Sequence, residues 1–98
     1  MKSIWTEIQD YFEQERFRLS PGAFLVWVIL LSHSQPYPRM AEISLRELLR
    51  KSGIKSRSTI LGALRELERN QMLSKIRADK KYSQTNLYLL RDDWKNPD

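Results

Sequence analysis

Two helical patterns lie between Ser44 and Leu67 with only a few residues between them, and no other stretch restricts the fold as tightly. Ser44 to Glu47 reads S-x-x-E, the capping box that opens a helix. Ile43, just before the cap, is positioned to staple onto Leu48, and Leu45, Leu48 and Leu49 form the buried side. Gly53 is placed to end this short helix in the left-handed conformation. Ser56 then caps a second helix whose inner face is Ile60, Ala63, Leu64 and Leu67. Helix, tight glycine turn, helix is the helix-turn-helix pattern, here over about residues 44–70.

The flanking segments supply a core for this pair. Ser3 is an N-cap, and the helix it opens, over about residues 3–16, carries Ile4, Trp5, Ile8, Tyr11 and Phe12 on one face. Glu7, Asp10, Glu13 and Gln14 fall on the other face. A second start follows at Ser20-Pro21, with proline at the first helical position, where its missing N–H costs nothing. The apolar run "AFLVWVILL" carries that helix to about Ser32. "SQPYPR" ends it, because two prolines cannot continue a helix. "RMAEIS" has the character of a short strand. "MLSKIRA" and "TNLYLL" predict a β-hairpin over about residues 72–91 with "DKKYSQ" as its charged tip, and Trp94 is expected to fold back on the core. Trp5 and Trp27 lie on apolar faces and are expected in the core, whereas Tyr37, between two prolines, is expected to be exposed. The fold class is mainly α with a small β-hairpin, in one domain over residues 1–98, since a chain of 98 residues buries a single modest core.

The face of the second patterned helix opposite its leucines carries Ser58, Gly62, Arg65 and Arg69, with Leu61 and Glu66 on its flanks. Small side chains at the front let the backbone approach a partner closely, and the length of the helix is basic. That arrangement fits a helix whose N-terminal half enters the major groove of DNA, roughly 12 Å wide. Arg65 is expected at base edges, where a bidentate pair with guanine contributes roughly 1–3 kcal/mol of discrimination. Ser56, Ser58, Thr59 and the first amides are suited to phosphates, and Lys55 and Arg57 to the backbone at the rim. The alternative is that Ser56 and Thr59 only cap the helix and that Arg65 and Arg69 pair with neighbouring acids.

Charge is uneven along the chain. From Ser44 to Lys81 there are eleven Lys and Arg against four Asp and Glu; elsewhere there are six against eight. The net charge of +5 therefore comes from the middle of the chain, which suits a polyanion, although basic surfaces also serve solubility alone.

These residues resemble the winged helix-turn-helix family. Its pattern G-[IV]-S-x-x-T-[IV], A-L-x-x-L, G-[LM]-[IL] is matched by Gly53-Ile54, by Ser56-Arg57-Ser58-Thr59-Ile60, by Ala63-Leu64 with Leu67, and by Met72-Leu73. The resemblance covers Ile43 to Leu90 and, more loosely, the helix from Ser20. Two positions depart from the pattern. Lys55 is one extra residue in the turn, and Gln71 replaces the glycine before the hairpin, with Asn70 available as the left-handed residue. The resemblance implies that the hairpin is a wing lying on the DNA backbone or minor groove through Arg77, Lys80, Lys81 and Tyr82; otherwise the lysines only guard a solvated turn against edge pairing. Ser20-Pro21 ahead of the apolar helix, and Trp94 at the domain end, are similar to the N-terminal domains of phage and plasmid replication proteins. Small prokaryotic transcription regulators look similar too. The expected partner is double-stranded DNA, in transcription regulation or replication initiation. The competing expectation is a protein-interaction module, with Leu61 and the first helix as contact surface, and that helix is also the expected seat of a homodimer.

Other chemistry finds no support in the residues. There is no cysteine, which fits a reducing cytoplasm and removes disulfides and thiolate chemistry. A single histidine, His33, at a helix end gives no metal site. The acidic pairs Glu13/Glu15 and Asp92/Asp93, and the scattered Gly22, Gly53 and Gly62, form no catalytic or phosphate-binding constellation, so neither an enzyme nor a cofactor is expected. The nine-residue apolar run is far short of the roughly 20 that span a bilayer, and the acidic start is unlike a signal sequence, so no membrane partner is expected.

Overall fold

A serine opens every helix of the computed structural model, which describes residues 3–35, 38–77 and 84–95. The hydroxyls of Ser3, Ser20, Ser44 and Ser56 accept the N–H of Thr6, Ala23, Glu47 and Thr59. Each such cap contributes about 1 kcal/mol. They begin α1 (Ile4–Glu13), α2 (Pro21–Ser32), α3 (Leu45–Ser52) and α4 (Arg57–Arg69). Gly53, at φ 74°, closes α3 in the left-handed region, and its N–H donates to the Leu49 carbonyl.

The strands are β1 (Met40–Ser44), β2 (Leu73–Arg77) and β3 (Thr85–Leu90). They form one antiparallel sheet in the order β1-β3-β2, with Met40 opposite Leu89 and Leu73 opposite Leu90. The described residues thus make a mixed α/β fold of four helices and a three-stranded sheet; the expected small hairpin and the short strand at "RMAEIS" are both present, and the strand joins the hairpin, so the fold is less purely α than expected. The reason lies in β1. Ala41 and Ile43 alternate into the core, which brings its backbone alongside β3.

Apolar on all sides, α2 runs through the centre and packs on the other three helices and on β1. Its Trp27 meets Trp94 edge to face at 5.8 Å, and the Trp94 indole donates to the Arg91 carbonyl (2.8 Å), so Trp94 does fold back on the core. From α4, Ile60, Ala63, Leu64 and Leu67 are all buried.

Three local expectations need correction. α1 ends at Glu13 because the Gln14 side chain folds the next turn, donating to the carbonyls of Tyr11 and Phe17 and accepting from the amides of Arg16 and Phe17. α1 is also rolled away from the face its apolar residues define. Glu7 is buried, while Trp5 and Phe12 are 66% and 56% exposed. Lys95 sets the roll: its ammonium pairs with Glu7 at 2.7 Å and reaches Asp10 at 3.4 Å, so the acidic side of the helix turns inward. Finally, the left-handed residue after α4 is Gln71 (φ 61°), not Asn70 (φ −91°). The Asn70 amide instead donates to the Glu66 carbonyl. Gln71 N–H bonds to Glu68 and Met72 N–H to Leu67, the paired bonds of a Schellman ending.

Candidate nucleic-acid interface

The buried row of α4 fixes which side of that helix is left outside. Lys55, Ser56, Arg57, Ser58 and Thr59 are all exposed at its start, as are Arg65 and Arg69 further along, and Gly62 is half-buried between them. Ser56 is committed as the N-cap through its bond from Thr59 N–H (3.3 Å) and shares a hydrogen bond with the Ser58 hydroxyl (2.8 Å). A Cβ built on Gly62 meets nothing within 4 Å.

The acids of this region are engaged elsewhere, which decides its electrostatics. Glu66 turns to the start of α2, accepting from the Ser20 amide at 2.7 Å and the Ser20 hydroxyl at 2.8 Å. Glu68 pairs with Lys75 on β2 (3.4 Å). Glu47 holds Arg50 through two bonds of 2.8 and 3.0 Å; the Arg50 contact keeps its carboxyl below the usual carboxylate range. Among the described residues Lys55, Arg65 and Arg69 have no hydrogen bond or ion pair, so the expected alternative of pairing with neighbouring acids is not realised for these two arginines.

Arg77 stands apart from this group. It is exposed, but its guanidinium pairs with Glu42 of β1 at 3.3 Å across β3, on the solvent face of the sheet. The ladder is irregular just before it, between Lys75 and Arg77, which leaves Ile76 53% exposed. Lys80, Lys81 and Tyr82, the other expected hairpin contacts, lie outside the described residues, as does Tyr37.

One feature of this side was missed from the sequence. An open groove of about 420 Å³ runs between α3 and the turn, with Leu49 and Ile54 as its floor and Arg46, Arg50 and Lys55 around it. Arg46 and Arg50 are four apart on the polar side of α3, a spacing that puts two guanidinium groups on one helix face and was there to be read. The extra turn residue, Lys55, adds the third cation. Ile54 is held by its N–H bond to the Ser52 hydroxyl (3.1 Å) and lies under the start of α2, near Gly22.

The described residues hold no cluster of three or more His, Cys, Asp or Glu able to take a metal ion, and no helix long and apolar enough to cross a membrane. What this surface offers is a convex basic helix with small residues at its tip, beside a groove rimmed with cations. Comparison with protein-family models, with curated proteins and with solved structures gives no match for this chain.

Proposed function

We propose that the chain is a winged helix-turn-helix module that binds double-stranded DNA, with α4 in the major groove and the β2–β3 hairpin as a wing on the backbone. The observation that carries this reading is the outward row Lys55, Ser58, Thr59, Arg65 and Arg69, exposed while the acids around it are engaged elsewhere. Cations already paired on the surface would gain little from phosphates; unpaired ones gain by displacing condensed counterions. The order α2-β1-α3-α4-β2-β3 supports the same reading, since it sets one strand between the first two helices and a hairpin after the last. Its place would be in transcription regulation or replication initiation, inside the cell, without catalysis or cofactor.

The test is equilibrium binding to random duplex over a range of salt. A module touching about four to six phosphates gives a log–log slope of roughly −4 to −5. Arg65→Ala then lowers affinity for a sequence selected from a random library more than for random duplex, because one bidentate base contact contributes roughly 1–3 kcal/mol of discrimination. Absence of binding at low salt would overturn the proposal. It would favour the second reading, a protein-interaction module, for which the exposed Trp5 and Phe12 speak directly. Leu61, the other residue expected on that surface, is half-buried against the core.

A further inference from the structure

Two large aromatic side chains stand in solvent on the helix whose acidic side is turned inward. Trp5 and Phe12 are 66% and 56% exposed, and seven residues separate them along α1. That spacing keeps them on one side of the helix, about 10 Å apart along its axis. The patch continues onto the neighbouring helix: the Phe12 ring meets Phe24 of α2 at 5.6 Å, and the next residue, Leu25, is 38% exposed. Scattered exposed apolar residues are ordinary, but two large aromatics on one side of a helix, one of them continued by a ring of the next helix, mark a contact surface.

The roll of α1 is not free to bury these rings. Lys95 holds Glu7 on the inner side, and Tyr11 is locked by the Leu19 N–H on its hydroxyl (2.7 Å) and by ring contact with Trp27 at 5.5 Å. Turning Trp5 and Phe12 inward would break the ion pair and carry Tyr11 out of the core. The rings are therefore held outward by the fold itself.

We infer that this face pairs with the same face of a second copy of the chain, α1 against α1 about a two-fold axis near Ile8 and Gln9. A two-fold contact requires a self-complementary surface, in which residue i meets j and j meets i. Antiparallel α1 helices meet that requirement, with Trp5 of each copy on Phe12 of the other. Charge selects the same arrangement. Glu13 is exposed in the last turn of α1, where a carboxylate opposes its own helix dipole; Arg18 covers the carbonyls of Phe12 and Gln14 there, but among the described residues Glu13 itself makes no ion pair. Across the axis it comes to the start of the other α1, where the dipole is positive and Ser3 and Thr6 offer hydroxyls. A parallel pairing would instead bring the two Glu13 carboxylates together. The inference does not depend on DNA binding.

Sedimentation equilibrium of the 98-residue chain without DNA tests it. The expected mass is twice 11.7 kDa at concentrations of about 100 μM, where contacts of micromolar strength are saturated. The double variant Trp5→Glu, Phe12→Glu should sediment at 11.7 kDa with its near-ultraviolet circular dichroism kept, because the buried Trp27–Trp94 pair is untouched. Glu13→Lys, on an exposed side chain, should raise the dimer dissociation constant by about tenfold. A monomeric parent chain, or a double variant that still dimerises, overturns the inference; an unchanged constant for Glu13→Lys overturns the antiparallel arrangement. Since no DNA is present, failure here leaves the reading of α4 standing, and loss of DNA binding by α4 variants leaves this contact standing.

Discussion

Gly62 lies in the interior of α4, where glycine costs a helix about 1 kcal/mol relative to alanine. Nothing in the fold demands it: a Cβ there would meet open space and the residue is not in the left-handed region. A close partner on the outer face of α4 would give the missing Cβ a purpose, since Gly62 lies between Ser58 and Arg65 on that face. Gly62→Ala should therefore raise the melting temperature by a few degrees, as a gain of about 0.5–1 kcal/mol does in a domain of this size. The same substitution should weaken duplex binding. Thermal melts and binding isotherms on one preparation check both; a variant that is more stable and binds DNA unchanged would show that the face is not closely approached. Arg65 and Arg69 are the opposite kind of residue: exposed and without an ion pair among the described residues, they contribute little to the stability of the free protein.

At the scale of elements, what the sequence made legible was whatever depends on near neighbours. Four serine caps, the Gly53 stop and the inner face of α4 each rest on hydrogen bonds or periodicity within one or two turns. The same periodicity gave the outward row of α4, so most of the candidate site could be read in advance. Two corrections were local, the Gln14 turn that ends α1 and the left-handed Gln71, and local pattern alone did not decide them. The distant contacts are what no local pattern carries. Glu7 is buried because of Lys95, 88 residues later; β1 joins β3 from the other half of the chain; Glu66 is engaged by Ser20 across 46 residues. No window of sequence contains these pairs. One of these distant contacts makes a prediction. Burial works against the Lys95 ammonium, but the Glu7 carboxylate, with Asp92 behind it, outweighs burial and leaves its pKa above the usual 10.5. Burial also pushes the Tyr88 phenol above its usual 10.0, against the Asn86 amide and with help from the Glu68 charge. Both groups bind a proton more tightly in the folded state than in the unfolded one. Their contribution is complete below about pH 10 and is lost as pH rises through the raised folded values. Urea midpoints should hold steady from pH 8 towards pH 10 and fall beyond it, and Lys95→Met should make the fall shallower. A midpoint flat through that range would contradict this account of the clasp.

Across the whole molecule two exposed surfaces differ in character, one charged and one apolar. α3, α4 and their turn carry Arg46, Arg50, Lys51, Lys55, Arg57, Arg65 and Arg69, while α1 offers the exposed rings of Trp5 and Phe12. A dimer built through α1 would offer two copies of α4 to a single duplex, which for half-sites one turn apart requires a separation of roughly 34–36 Å. We propose that the outer face of α4 is what a duplex touches. Amide chemical shifts followed by NMR during titration with a short duplex test it most directly, because every residue reports its own surroundings. The largest changes should fall on Lys55 to Thr59, Gly62, Arg65 and Arg69, with Trp5 and Phe12 unmoved. Changes centred on α1, or spread evenly with α4 silent, would contradict it.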